Sequence, residues 1–314
     1  MVNKYIQDME IGDDVEGAFL MRAIYPKVAS NGKPFLSIVM ADKTGTMESK
    51  VWSYTGPIGK ADEGRVAVLQ GNVGEFKGER QLRIDSIRLA DEHDNVNLDE
   101  LVPVAPLDVD QTYQEVRDLI AGIEDTDYRM VCASMLSRHE KAFLNIPAAK
   151  SVHHSFLHGL LMHTSNMMKI ADFLGKLYPD TVDHSLLLAG TFLHDFAKEI
   201  EFTFSDVGLV TDYSIKGQLL GHLVMGAQEA AKVCEKLNIP EDKSVLLQHM
   251  ILSHHGEPEY GAAVRPVCAE SELLSYIDKI DSRMEIFRET FDEVPVGEFS
   301  NRIFALDKKI YHHA

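Results

Sequence analysis

The stretch LLLAGTFLHDFAKE, residues 186–199, places an imidazole and a carboxylate, His194 and Asp195, at the end of an apolar run with helical spacing. The run carries the chain into the protein interior, where a charged Asp needs a counter-charge or a metal ion. For this dipeptide alone, a second interpretation stays open. His194 would lie on an apolar helix face with one hydrogen bond, while Asp195 would cap the next turn.

Other candidate metal ligands surround this dipeptide in the sequence. Ten of the 14 histidines fall between residues 153 and 255. The candidates on helix ends or apolar helix faces are His163, His222, the doublet His254 and His255, and Asp278 in LLSYIDKID. Side chains from different helices can converge in a helical bundle. Together with the dipeptide, these residues suffice for two metal ions bridged by a carboxylate, and mixed nitrogen and oxygen ligands suit Mn²⁺, Fe²⁺ or Zn²⁺.

This ordered series resembles the HD superfamily of metal-dependent phosphohydrolases, in the version that binds two metals, and Lys198 completes its HDxxK motif. Three longer segments extend the resemblance: HHSFLHGLLMHTSNM (153–167), AGTFLHDFAKEIEF (189–202) and ILSHHGEPEYG (251–261). Together with the β-rich N-terminal region that precedes them, these segments resemble the YhaM family of bacterial 3′-to-5′ exoribonucleases. The resemblance extends along nearly the whole chain.

The resemblance implies a role for each residue of the series. Asp195 would bridge two divalent ions, with His163, His194 and Asp278 around one ion and His222, His254 and His255 around the other. A hydroxide between the ions would attack phosphorus. Mn²⁺ is the first expectation, with Fe²⁺, Zn²⁺ and Mg²⁺ as alternatives. Lys198 would present its ammonium to the scissile phosphate and act with Asp195 in catalysis; from spacing alone, an ordinary surface lysine is the alternative.

Two ligand assignments have rivals nearby in the sequence. His153, His154 and His158 precede His163, and His154 and His158 have the i, i+4 spacing that puts two imidazoles on one helix face. We expect His154 and His158 to line a substrate channel. Asp281, one turn after Asp278, is the rival for the last ligand, and its alternative role is a solvated or salt-bridged carboxylate.

The composition is typical of a soluble protein of two domains, with 314 residues, 45% hydrophobic and 25% charged. The N-terminal MVNKYIQDMEIGDD is polar, and no apolar run reaches the length of a bilayer span. These features predict a cytoplasmic protein without a membrane segment. Cys132, Cys234 and Cys268 lack CxxC spacing, which argues against both a disulfide framework and a thiolate metal site.

The net charge of −18 is unusual for a protein that handles nucleic acid, because phosphate binding generally requires a basic surface. Residues 1–95 hold 12 Lys and Arg against 15 Asp and Glu, a balance of −3 that leaves −15 to the rest of the chain. The acidity therefore belongs to the C-terminal part, where metal ions would offset it locally.

Residues 14–90 predict five short strands separated by turns, which is typical of a small closed barrel. The pattern DKTGTMESKVW (42–52), a hairpin turn followed by a strand that ends in Trp, resembles the OB-fold nucleic-acid-binding domains. We assign residues 1–95 to such a domain. OB-fold barrels hold single strands by stacking bases on aromatic side chains along a basic groove.

Alternation along the third strand predicts that Lys50, Trp52 and Tyr54 share one face and form a stacking surface. The alternative is that Trp52, the only tryptophan, fills the barrel core. Further candidates for strand binding are Tyr25, Phe35, Phe76 and Arg83.

Residues 96–110 are acidic and punctuated by Pro103 and Pro106, which predicts a linker or an extended segment lying on a neighbouring surface. From 111 to 314 we expect the HD domain, with helices at 111–122, 126–144, 153–177, 183–200, 220–237, 243–254 and 267–288. The predicted fold class is thus multidomain: a small all-β OB-like barrel followed by an all-α HD-type domain.

These features favour an exonuclease that removes nucleoside 5′-monophosphates from the 3′ end of single-stranded RNA, with single-stranded DNA as a second candidate substrate. Two other functions stay open. One is an HD phosphohydrolase for a small nucleotide, such as a deoxynucleoside triphosphate or a cyclic dinucleotide. The other is a catalytically idle nucleic-acid-binding protein. We also expect a homo-oligomer.

Overall fold

The computed structural model describes residues 4–97, 100–102, 104–149, 156–205 and 208–314. The chain divides into two compact units. The first comprises Met1–Val104 and Phe204–Thr211, and the second comprises Ala105–Thr203 and Asp212–Ala314.

The first unit contains a closed five-stranded barrel. Its strands are β1 (Asp14–Val28), β2 (Pro34–Asp42), β3 (Gly45–Trp52), β4 (Val66–Phe76) and β5 (Glu79–Leu89). They follow the order β1-β2-β3-β5-β4, and β3 runs parallel to β5 while the other neighbours are antiparallel. Alternate residues point inward, so that Leu36, Ile38 and Met40 of β2 join the buried core. The predicted OB-like barrel is confirmed.

The β2–β3 turn forms because of one buried carboxylate. Asp42 is 3% exposed, and its Oδ1 accepts hydrogen bonds from the backbone nitrogens of Thr44 at 2.7 Å and Gly45 at 3.2 Å. Its other oxygen accepts from the backbone nitrogen of Ile6 at 2.7 Å. The Asp of the DKTGT pattern thus fixes the turn and holds the N-terminal segment against the barrel.

The region expected to be a linker contains buried residues. Leu101 and Val102 are 1% and 0% exposed. The backbone nitrogen of Lys43 donates to the carbonyl oxygen of Glu100 at 3.2 Å. These residues belong to the first compact unit, and the linker over residues 96–110 stays a prediction.

The second unit is helical. Its helices are α1 (Val109–Ala121), α2 (Thr126–Asn145), α3 (Gly159–Leu177), α4 (His184–Leu193), α5 (Lys198–Glu201), α6 (Ile215–Leu237), α7 (Glu241–Ser253) and α8 (Ala269–Glu293). Side chains cap several N-termini; Asp183, for example, accepts from the backbone nitrogen of Leu186 at 3.0 Å. The prediction of a helical second domain is confirmed. No helix in the described part of the chain has both the length and the apolar character of a membrane span.

Three details of the helical unit differ from the sequence prediction. The helix expected over 183–200 is interrupted, because α4 ends at Leu193 and residues 194–197 form a turn before α5. The helix expected from 220 begins at Ile215 and is broken at Gly221, whose φ is 71°. Two short strands, β6 (Phe202–Phe204) and β7 (Val210–Tyr213), pair between α5 and α6 in a region expected to contain no strands.

Helix α4 is the centre of the helical unit. Every residue from Ser185 to Leu193 is buried, so this helix has no solvent-facing stripe. Gly190 permits close contact with α7, because a Cβ there would lie 2.5 Å from Met250 Cε and 2.9 Å from its Cβ and Cγ. The close approach sets the spacing between the two helices that end just before His194 and His254.

We predict that Gly190→Ala lowers stability. Overpacking typically costs about 1–3 kcal/mol, which outweighs the roughly 1 kcal/mol that alanine gains over glycine in a helix. Thermal unfolding followed by circular dichroism at 222 nm should show a lower midpoint. Gly122→Ala is the matched control, since a Cβ there meets only ordinary contacts from 3.4 Å. A Gly190→Ala midpoint at or above the wild-type value would contradict the packing argument.

Candidate metal centre and strand-binding surface

Five stretches of the helical unit supply the predicted metal ligands. The residues lie in α3 (His163), in the turn after α4 (His194 and Asp195), in α6 (His222), at the end of α7 (His254 and His255) and in α8 (Asp278). The structure brings them into two adjacent groups.

The first group surrounds the Nε2 atom of His163. This atom lies 3.2 Å from His194 Nε2 and 3.4 Å from Asp278 Oδ1. Asp195 Oδ2 is 3.2 Å from His194 Nε2 and 3.7 Å from His163 Nε2. Two imidazole nitrogens and two carboxylate oxygens thus face a common point, a donor set suited to a divalent cation.

The second group contains three imidazoles. The potential ligand atoms of His222, His254 and His255 all lie within 4.8 Å of one another. The second oxygen of Asp195, Oδ1, is 3.5 Å from His222 Nε2 and 3.8 Å from His254 Nε2. Asp195 therefore directs one oxygen toward each group, as a bridging carboxylate must.

Acceptors behind the imidazoles fix the orientation of four rings. Each Nδ1 lies near an oxygen: His163 near Asp281 Oδ2 at 2.7 Å, His194 near the Thr191 carbonyl at 2.7 Å, His222 near Glu201 Oε1 at 3.0 Å, and His254 near the Ile251 carbonyl at 2.8 Å. An Nδ1–H that donates there leaves the Nε2 lone pair free for a metal.

The structure separates the two rival aspartates of α8. Asp278 faces Nε2 of His163, the nitrogen directed into the first group, whereas Asp281 faces Nδ1 on the other side of the ring. Asp281 is 7% exposed and lies behind the His163 ring, on the side away from the first group. Sequence reasoning did not identify Glu201, which holds the corresponding position behind His222. Spacing gives no signal for it, because the contact joins α5 to α6 across 21 residues.

Lys198 is the first residue of α5 and points back at the site. Its Nζ lies 2.5 Å from Asp195 Oδ2, and its side chain is 15% exposed. Burial would lower the pKa of Lys198, but Asp195 outweighs burial and raises it. The ammonium therefore stays charged, and the surface-lysine alternative does not apply.

The protonation states of Asp195 and His254 suit metal binding, whereas that of His163 opposes it. Burial would raise the pKa of Asp195, but Lys198 and His194 hold it well below its usual value. Burial, together with His255, lowers the pKa of His254 well below its usual value. Burial would also lower the pKa of His163, but Asp278 and Asp281 outweigh burial and raise it to about 9. A cation that binds at His163 must therefore displace a proton.

Three buried polar atoms of the two groups have no hydrogen-bond partner: Asp195 Oδ1, His222 Nε2 and His255 Nδ1. Such an atom costs about 1–3 kcal/mol when it is left unpaired in the interior. All three atoms belong to the groups that, among the described side chains, place His and Asp ligand atoms close enough together to hold a metal ion. The residues present thus fit divalent cations, which would satisfy these atoms.

The two histidines expected in a substrate channel have different outcomes. His154 lies outside the described residues. His158 precedes α3 in a left-handed conformation with φ of 62°, and its Nδ1 lies 2.5 Å from the Leu144 carbonyl. One nitrogen of His158 is thus occupied by α2, and its channel role stays a prediction.

The barrel presents an aromatic and basic outer surface. Trp52 is 49% exposed, so the alternative that it fills the core is excluded. Its ring stacks on Phe35 with centroids 4.8 Å apart. Lys50 Nζ lies 5.6 Å from the Trp52 centroid and 4.5 Å from that of Phe76. Arg83, with 72% of its side chain exposed, is the cross-strand partner of Lys50. We call Phe35, Lys50, Trp52, Phe76 and Arg83 the stacking surface.

The prediction that Tyr54 shares a strand face with Lys50 and Trp52 is wrong. Strand β3 ends at Trp52, and Ser53 adopts a left-handed φ of 53°, so the two-residue alternation stops there. Tyr54 packs against the barrel core, and its hydroxyl oxygen accepts from the backbone nitrogen of Ile58 at 2.9 Å. Tyr54 therefore does not belong to the stacking surface. Tyr25, the remaining aromatic candidate, is 48% exposed on β1.

Comparison with known proteins gives a family match and a structural likeness. The HD domain family model matches residues 160–283. The barrel is similar to the second OB-fold domain of replication protein A from Methanococcus maripaludis, at 17% identity and a TM-score of 0.23, over 29% of this chain and 97% of that one.

Curated relatives match nearly the full length of the chain. A 3′-5′ exoribonuclease YhaM from Geobacillus sp. (strain WCH70) is 36% identical, covering 98% of this chain and 94% of the relative. One of the same name from Shouchella clausii is also 36% identical, with 98% and 96% covered. One from Listeria welshimeri is 33% identical, with 99% of both covered. The resemblance predicted from the motifs is thereby confirmed, and the chain belongs to the YhaM family of 3′-5′ exoribonucleases.

Proposed function

We propose that this chain is a metal-dependent exonuclease that shortens single-stranded RNA from the 3′ end and releases nucleoside 5′-monophosphates. Single-stranded DNA is the second candidate substrate. The relatives named above support the activity. The observation that carries the proposal is the placement of Asp195, with one carboxylate oxygen toward each of two groups of imidazoles.

In this proposal, Asp195 would serve two divalent cations. His163, His194 and Asp278 would hold one, and His222, His254 and His255 would hold the other. Nitrogen and oxygen donors without thiolates favour Mn²⁺, with Fe²⁺, Zn²⁺ and Mg²⁺ as alternatives. When bound, such a pair supplies a nucleophile stronger than water and offsets the negative charge on the phosphate oxygens.

The exposure of the ligands indicates where a phosphate reaches the site. The side chains of His194 and His254 are 0% and 1% exposed and form the floor. Asp278 is 23% exposed, and Lys198 is 15% exposed. We infer that the scissile phosphate arrives at this open edge, where the Lys198 ammonium donates hydrogen bonds to a non-bridging oxygen.

The stacking surface supports a single-stranded substrate. Exposed rings bind bases of any sequence through their π faces, and Lys50 and Arg83 attract the phosphates. The position of the Lys50 ammonium near two rings places a positive charge between two stacking positions. The stacking surface thus offers cationic and aromatic contacts to a strand, whereas the helical unit is acidic overall.

We predict that the wild-type chain loaded with Mn²⁺ holds about two ions, one for each group of ligands. Asp195→Asn should hold fewer than one, because the amide offers a single weak donor where the carboxylate faces both groups. Elemental analysis after gel filtration gives the count. His93→Ala, which removes an exposed imidazole of the first unit, should leave the count unchanged. A wild-type value of about one or less would refute the two-cation proposal.

For the stacking surface, we predict that Trp52→Ala raises KM for a 20-nucleotide RNA with a 5′ label by roughly tenfold, since one stacked base contributes about 1–3 kcal/mol. Turnover of a small phosphodiester such as bis-p-nitrophenyl phosphate should not change. Phe173→Ala removes an even more exposed ring from the helical unit and serves as the control. An unaltered KM for RNA in Trp52→Ala would remove Trp52 from strand binding.

A further inference from the structure

Helix α6 is broken immediately before His222. Gly221 has φ of 71° and ψ of 160°, outside the helical region, and glycine adopts such angles without steric strain. The backbone nitrogen of His222, the first residue after the break, donates to Glu201 Oε1 at 3.0 Å. The start of the second helical segment is thus fixed by a side chain from another element.

The same oxygen holds the imidazole of this residue. His222 Nδ1 lies 3.0 Å from Glu201 Oε1, so an Nδ1–H donates to the carboxylate and Nε2 keeps its lone pair. That Nε2 is buried, has no hydrogen-bond partner and lies 3.5 Å from Asp195 Oδ1. One oxygen therefore sets both the backbone position and the ring orientation of His222.

Glu201 is itself rigidly placed. It is 5% exposed at the end of α5, three residues after Lys198, and its carbonyl accepts from the backbone nitrogen of Ser214 at 2.8 Å. The first turn of α6 packs directly on it, since a Cβ on Gly217 would lie 2.1 Å from the Glu201 carbonyl oxygen. Glu201 thus connects α5 to α6 on both sides of the break.

We propose that Glu201 is a positioning residue for the cation held by His222, His254 and His255. Its carboxylate fixes the His222 ring and raises the basicity of Nε2, and the loss of such a partner typically weakens metal binding by about 10- to 100-fold. The first group is oriented independently, through Asp281 and the Thr191 carbonyl. Loss of Glu201 therefore weakens one cation selectively. This inference rests on the proposed two-cation site.

Two substitutions test the role of the carboxylate in the full chain. Glu201→Met keeps the approximate volume and removes the acceptor; Glu201→Gln keeps a weaker, uncharged acceptor. Isothermal titration with Mn²⁺ should show two strong sites in the wild type. One site should be weakened about 10- to 100-fold in Glu201→Met and less so in Glu201→Gln.

A metal-free readout accompanies the titration. Long-range ¹H–¹⁵N spectra of the imidazoles should show His222 as the Nδ1–H tautomer in the wild type and should lose this signature in Glu201→Met. Glu285→Gln is the control, because Glu285 is equally buried but pairs with Arg288. It should keep both Mn²⁺ sites.

The outcomes separate the two proposals. If the wild type binds fewer than two Mn²⁺ ions, the two-cation site fails before Glu201 is tested. If the wild type binds two and a folded Glu201→Met keeps wild-type affinity at both sites, the role of Glu201 is overturned. Should Glu201→Met not fold, wild-type affinity at both sites in Glu201→Gln would likewise overturn it.

Discussion

The helical unit depends on an ionised carboxylate held in its interior. Asp195 is 2% exposed, and burying an isolated charge is expensive unless a counter-charge or a metal accompanies it. Lys198 lies 2.5 Å from one oxygen, but the other oxygen has no hydrogen-bond partner. The protein thus keeps a buried carboxylate among four imidazoles with one of its two oxygens unpaired. This arrangement is poor for stability alone and well suited to attracting cations.

Two of these imidazoles are held by the same arrangement at the C-terminus of a helix. Helices α4 and α7 both stop one residue before a histidine, and in each case the ring Nδ1 lies near the carbonyl three residues earlier, Thr191 or Ile251. Carbonyls in the last turn of a helix have no intrahelical partner, so the ring satisfies one of them while its Nε2 points onward. Tight packing of α4 on α7 at Gly190 then brings the two ends together.

Sequence patterns predicted the barrel and the series of candidate ligands. They missed features that depend on contacts between residues distant in the sequence or on local backbone geometry. Strand periodicity and the DKTGT turn gave the barrel, and the HD series gave residues that converge in two groups. Alternation failed at Tyr54, because a left-handed Ser53 ends β3. Apolar periodicity could not show the turn at 194–197, because apolar residues resume after the dipeptide at Phe196 and Ala197. Glu201 carried no signal, since only folding brings it to His222.

The uneven exposure of the predicted ligands bears on how cations would enter and leave the pocket. Side chains of the floor are fully enclosed, whereas Asp278 and Lys198 reach solvent at one edge. In the proposed two-cation site, cations would leave through the opening by which a phosphate arrives. A strand seated in the pocket would then close their exit, and we expect the enzyme at work to resist chelators that strip it at rest.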